Sequence, residues 1–217
     1  KDIAQILEEY FAAKEPEQEV PVVSEVIDIN HTKEYEDLTI HKVNEHTRAY
    51  IKIQDGCNQF CSYCIIPYTR GRIRSKNPEE VIEEVKNLAA QGYKEIVLTG
   101  IHLSSYGKDL GTVTLLDVIK RIQQVEDVER IRLGSLEPRI ITEEFVKELV
   151  KCDKVCPHFH LSLQSGCDET LKRMNRKYTT EEYEEALNIL RKYYEHPALT
   201  TDVIAGFVGE TEEEFEK

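Results

Sequence analysis

The sequence predicts an α/β fold, an incomplete parallel (β/α) barrel with five strands present. Three observations predict it. From residue 48 onward, short β runs alternate with capped amphipathic helices, and that rhythm implies parallel strands joined by crossovers. Each β run is apolar on one face and polar on the other. Five such units precede the last residues, where Glu210-Thr211-Glu212-Glu213-Glu214 reads as a helix start; with Lys1 at the other end, both termini read as cut ends of a longer chain.

Taken in order, residues 2–13 place Ile3, Ile6, Leu7, Tyr10 and Phe11 on one helical face. Residues 14–47 are acidic and irregular, with Pro16 and Pro21, and read as a linker with a short strand at Val20–Ile29. The division is therefore 1–47 as the end of a preceding domain with its linker, and 48–217 as the core. Strands are expected at 48–54, 95–99, 130–134, 158–164 and 200–206. Helices are expected at 78–91, 114–124, 142–150 and 180–194, with a shorter one near 168–174. Asn77 before Pro78 and the box Thr179-x-x-Glu182 are start signals, and Gly92 suits a helix end.

The strand faces say more than the strands. Ile51 and Ile53, Ile96 and Leu98, Ile131 and Leu133, and Phe159, Leu161 and Leu163 share the side that packs on helices. Opposite them stand Lys52 and Gln54, Glu95 and Thr99, Arg130 and Arg132, His158, His160, Ser162 and Gln164, with Asp202 on the last strand. Such a lining is a poor core and a good cavity for a polar ligand. An antiparallel sheet with one wet face is the alternative.

Composition bounds the partners. Acidic residues outnumber basic ones 41 to 28, for a net charge of −13, which excludes a chain-wide phosphate-binding surface. Basic residues cluster locally instead, at Arg70, Arg72, Arg74 and Lys76 and at Lys172, Arg173, Arg176 and Lys177, where contact with RNA phosphate or with a ligand carboxylate competes with plain solvation. No apolar run reaches the ~18 residues of a membrane span. Clustered cysteines without a secretory signal point to cofactor ligation in the reducing cytosol.

Cys57, Cys61 and Cys64 lie within eight residues, directly after the first strand, at the barrel mouth where active sites sit. Three thiolates so spaced can hold an iron–sulfur cluster and leave a fourth iron without a protein ligand. A closed zinc site needs a fourth donor and shows two separated pairs; His158 and His160 are candidates to complete one, but they stand on the wall of a distant strand. Cys152, Cys156 and Cys167 have no compact spacing and read as structural thiols. His158 and His160 read as cavity-lining hydrogen-bonding groups.

C-x3-C-x2-C with an aromatic residue before the third cysteine resembles the signature of the radical S-adenosylmethionine (SAM) superfamily. The runs CNQFCSYCIIPYTRGRIRSK (57–76), EIVLTGIHLSSYG (95–107), RIRLGSLEP (130–138), HFHLSLQSGCDETLKRMNRKYT (158–179) and TTDVIAGFVGETEEEF (200–215) resemble the methylthiotransferases within it. "TGIHL", "GSLEP" and "HLSLQSGC" are most similar to the branch acting on tRNA threonylcarbamoyladenosine. The branches acting on isopentenyladenosine in tRNA or on a ribosomal protein are the alternatives in the same class, and a zinc-stabilised RNA-binding module is the alternative from another. The resemblance implies a [4Fe–4S] cluster on the three cysteines, SAM on the open iron, and a 5′-deoxyadenosyl radical formed by reductive cleavage. It implies a second [4Fe–4S] cluster in a preceding domain outside this chain, a following RNA-binding domain, tRNA and an electron donor as partners, and no membrane. For SAM contacts it implies the strand ends Thr99 and Gly100, Ser135 and Glu137, Gln164 and Ser165, Asp202 and Gly206, with Arg176 for the carboxylate. Val208 stands where the family usually has proline.

Overall fold

A computed structural model describes residues 3–12, 27–36 and 47–217. Helix α1 spans Ile3–Ala12. Of the strand expected at Val20–Ile29, residues 20–26 lie outside the described residues, and Ile29 instead opens a 3-10 turn capped by Asp28.

The core follows the expected alternation. Strands β1 (Arg48–Asp55), β2 (Arg74–Ser75), β3 (Glu95–Gly100) and β4 (Arg130–Leu133) form one sheet in the order β2-β1-β3-β4. β1 pairs with β3, and β3 with β4, in parallel; β5 (His158–His160) and β6 (Ala198–Thr200) form a parallel pair. A parallel bridge between Leu136 and Leu161 joins the two sheets. The Leu136 N–H donates to His160 O and the Ser162 N–H to Leu136 O. The wet antiparallel sheet is thereby overturned: among the described residues only the two-residue β2 runs against its neighbour.

The last strand starts two residues earlier than expected and is regular only to Thr200. Beyond it the pairing continues irregularly through Gln164 N–H to Asp202 O and Ile204 N–H to Gln164 O. Gln164 adopts φ 74° there, which breaks the regular ladder in that region.

Helices α2 (Ile66–Thr69), α3 (Pro78–Ala90), α4 (Leu115–Ile122), α5 (Glu143–Leu149), α6 (Asp168–Arg173), α7 (Thr180–Tyr193) and α8 (Glu212–Phe215) fill the crossovers and the end. Their starts are local chemistry. Asn77 accepts from Glu79 N–H ahead of Pro78, and Thr114/Asp117, Thr179/Glu182 and Thr211/Glu214 close reciprocal capping boxes. The buried stripes Val81, Val85 and Leu88 of α3, and Leu115, Val118, Ile119 and Ile122 of α4, meet the apolar strand faces. Ile51, Ile53, Ile96, Leu98, Ile131, Phe159 and Leu161 are fully buried in that shared core, so the two-residue period assigned the outer face correctly. Among the described residues no helix is long and apolar enough to cross a membrane.

Candidate active site

The strand ends converge on one mouth, and β1 feeds the cysteine loop into it. Gly56 makes the turn at φ 69°, with an ideal Cβ there falling 1.9 Å from Arg72 O; only glycine fits. The Cys57 N–H then donates to Gly71 O at 3.0 Å.

The far side of the loop is held by the end of α6. Ser62 N–H donates to Met174 O at 3.0 Å and its hydroxyl to Arg173 O at 2.9 Å. Asn175 Nδ2 donates to Phe60 O at 2.8 Å, which supports Phe60 at φ 53°. Arg176 reaches the thiols themselves: Nη1 lies 3.2 Å from Cys61 Sγ, and Nε donates to Tyr178 Oη at 3.0 Å. Burial works against the Arg176 charge, but the surrounding Tyr178, Tyr63 and Cys61 hold it above its ordinary value. Burial pushes Tyr63 up to about 12, opposed by that cation.

All six cysteines are free. Cys57 is buried, and burial pushes its thiol up against the Gln59 N–H that donates to Sγ at 3.4 Å. A metal binding there displaces the proton. Among the described residues no group of His, Cys, Asp and Glu is arranged to hold a single metal ion. The zinc alternative needs such a group, with four donors converged on one ion. A cluster needs thiolates spread around several irons, with N–H donors to sulfur. Three thiols in one loop, with the Gln59 and Arg176 donors, fit that demand. Cys152, Cys156 and Cys167 lie elsewhere; Cys167 precedes α6 and donates to Glu169 at 3.0 Å.

A polar network joins the cysteine loop to the ends of β3 and β4. Gln59 Nε2 sits 3.5 Å from His102 Nε2 and 3.4 Å from Glu137 Oε2. Glu137 also meets His102 at 3.4 Å and accepts from Arg139 Nε at 2.5 Å. Burial opposes its charge, yet the His102 and Arg139 contacts hold the carboxyl at about 2. Sequence reasoning singled out Glu137 but passed over Gln59 and His102, because their role depends on loops 43 and 78 residues apart.

The remaining expected residues divide. Gly100 packs on Gln54, where an added Cβ would stand 2.9 Å from that side chain; Thr99 spends its hydroxyl on Ile51 O at 3.1 Å. Gln54 is fully buried, accepting from His102 N–H at 2.6 Å, so it braces two strand ends rather than lining a wet wall. Ser135 is exposed and Ser165 buried, its hydroxyl accepting from Cys167 N–H at 3.2 Å. Gln164 is half-buried, Asp202 exposed, and Gly206 N–H donates to Glu210 at 2.7 Å. His160 faces a carboxylate, Asp202 at 3.4 Å, while His158 Nδ1 has no hydrogen-bond partner. Burial and the Arg132 charge push His158 down.

The first basic run is not one surface. Arg74 and Lys76 are buried, facing Asp55 at 3.7 Å and Glu84 at 2.7 Å, and only Arg70 and Arg72 face solvent. In the second run Arg173 is occupied by both Glu214 oxygens, at 3.0 and 2.6 Å. A groove of about 830 Å³ lies to one side, between the loop 104–116 and α5, but carries no cysteine.

The sequence profile of the Radical SAM superfamily matches residues 51–217. The chain belongs to the radical SAM superfamily. Members of that superfamily bind a [4Fe–4S] cluster and SAM. This radical SAM chain is 46% identical over 194 residues to the threonylcarbamoyladenosine tRNA methylthiotransferase MtaB of Bacillus subtilis, covering 89% of this chain and 43% of that protein. It is 44% identical over 183 residues to a tRNA-2-methylthio-N(6)-dimethylallyladenosine synthase of Clostridium botulinum, covering 84% of this chain and 40% of that protein. It thus spans about two fifths of the length of these relatives. Among solved structures, the cobalamin-dependent radical SAM enzyme OxsB aligns with a TM-score of 0.58 at 16% identity, over 71% of this chain and 23% of OxsB. The radical SAM methyltransferase TsrM from Kitasatospora setae aligns at 0.55 and 20%, over 72% of this chain and 30% of TsrM. At such identities the likeness concerns the fold, and the fold is the incomplete barrel described above.

Proposed function

We propose that residues 48–217 form the core of a cytoplasmic tRNA methylthiotransferase that uses SAM cleavage to methylthiolate C2 of N6-threonylcarbamoyladenosine beside the anticodon. Residues 1–47 are then the end of the preceding domain and its linker. The observation that carries this reading is the three-cysteine loop at the mouth, in a chain 46% identical to MtaB over 89% of its length.

Cys57, Cys61 and Cys64 hold the [4Fe–4S] cluster, which when bound supplies the electron for reductive SAM cleavage. The chain does the rest by binding and orientation. Glu137, ionised at about 2, receives the SAM ammonium together with the Thr99–Gly100 backbone, and Arg176 receives the SAM carboxylate. Gln164, Ser165, Ser135, Asp202 and Gly206 ring the remaining strand ends. In the whole enzyme an auxiliary cluster held outside these residues would supply the transferred sulfur, and an electron donor would complete the cycle.

The 44% identity to the dimethylallyladenosine synthase supports a second reading, with isopentenyladenosine as the substrate base. Mass analysis of nucleosides decides between them. The whole enzyme is incubated with SAM, dithionite and tRNA carrying either modification. Methylthio-threonylcarbamoyladenosine is the expected product; methylthiolation of the isopentenyl tRNA alone overturns the first reading in favour of the second.

A further inference from the structure

The loop between Cys57 and Cys64 and the turn after it carry an aromatic and cationic rim that the chemistry of the cysteines does not use. Phe60 is held at φ 53° with its carbonyl on Asn175, which fixes the backbone that carries its ring. Tyr68, one helical turn beyond Cys64, meets Phe60 edge to face, with centroids 5.5 Å apart and planes at 83°. The Arg72 guanidinium lies 4.7 Å from the Phe60 centroid. Tyr68 is 64% exposed and its neighbour Ile65 68%, and Arg70 and Arg72 are the two residues of their run that remain in solvent.

We infer that Tyr68 and Arg72 form a stacking platform for unpaired RNA bases next to the target nucleotide, with Arg70 beside a phosphate. Single-stranded RNA is recognised by aromatic rings and guanidinium planes that stack on bases, with cations following the backbone. A base brought to the cysteine mouth must leave its own stack, so its neighbours need new partners at the rim, where this platform lies. The platform also reconciles RNA contact with a net charge of −13, because stacking needs no long-range attraction. This inference rests on the tRNA reading above and names the surface that reading requires.

The test uses the 217-residue chain, reconstituted anaerobically with iron and sulfide, and a fluorescent single-stranded RNA read by anisotropy. A matched RNA with abasic positions is the second probe. Tyr68→Ala should weaken binding of the intact RNA about tenfold, the scale of one lost base stack, and Tyr68→Phe should retain it. On the abasic RNA, parent and Tyr68→Ala should bind alike. Arg70→Ala should lower the salt dependence by about one counterion, whereas Arg72→Ala, like Tyr68→Ala, should weaken the intact RNA more than the abasic one. Equal affinity of the parent chain for intact and abasic RNA overturns the platform, and this arm needs no variant to fold. So does an equal loss in Tyr68→Ala on both RNAs, or no RNA binding by the parent. The whole-enzyme product assay judges the reaction separately: product without base-dependent binding sinks only the platform, and base-dependent binding without product sinks only the reaction.

Discussion

Replacing Lys76 by methionine separates a structural lysine from a ligand-binding one. Lys76 belongs to a basic run that could face RNA, yet its side chain is 2% exposed and sits 2.7 Å from Glu84, itself 6% exposed. Its backbone is equally committed, donating to Ile53 O at 2.8 Å and accepting from Tyr106 Oη at 2.8 Å. Methionine preserves the volume and the backbone bonds but leaves the Glu84 carboxylate buried without its cation. Breaking a buried pair from one side costs about 3–5 kcal/mol. For a chain of this length that corresponds to a fall in Tm of roughly 6–20 °C. The assay is thermal and urea unfolding of the parent, Lys76→Met, and Lys76→Met with Glu84→Leu. The double variant removes the stranded charge and should recover the parent stability or exceed it by about 1–4 kcal/mol. An unchanged Tm in Lys76→Met, with RNA affinity reduced, would refute the reasoning and return Lys76 to the surface.

Cys57→Ala, Cys61→Ala or Cys64→Ala should each abolish iron uptake on anaerobic reconstitution and SAM cleavage with it, whereas Cys152→Ala should take up iron normally; normal iron content in Cys61→Ala sinks the ligand assignment. Glu137, depressed to about 2 in the folded chain, contributes stability that is full above its unfolded value near 4.3 and is lost as pH falls toward 2, up to about 3 kcal/mol. Glu137→Gln should flatten that part of the urea-midpoint profile between pH 5 and 2, and an unaltered profile refutes the His102–Arg139 explanation. Gln164→Leu should weaken SAM binding more than it harms folding, while Leu161→Ala, fully buried, should cost roughly 2–5 kcal/mol and spare SAM affinity in the folded fraction. The reverse outcome, read by calorimetry and unfolding, overturns the assigned strand face.

Elements whose cause is local were legible from the residues alone. Asn77 and Thr179/Glu182 cap helices through partners two or three residues away. The alternation around Ile51, Ile53, Ile96 and Leu98 reveals the buried face because side chains alternate across a strand. The three cysteines declared themselves because their ligand spacing lies within one loop. What the chain order could not declare is which distant groups meet. Arg74 and Lys76 are basic and two apart, as Arg70 and Arg72 are, and only the packing of β2 against β1, α3 and the loop before α4 turns the first two inward. Arg176 lies 115 residues from Cys61, and Gln59 meets Glu137 across 78. Those encounters arise where parallel strands bring successive loops to one mouth, a product of the whole topology rather than of any segment. The sequence by itself determined about where the five parallel strands and the longer helices begin, which strand face is buried, and the thiol loop; the short α2 and β2 and the early end of β5 depend on contacts between loops. Tertiary structure alone decided which charges are buried in pairs, which stay in solvent, and which groups surround the sulfurs.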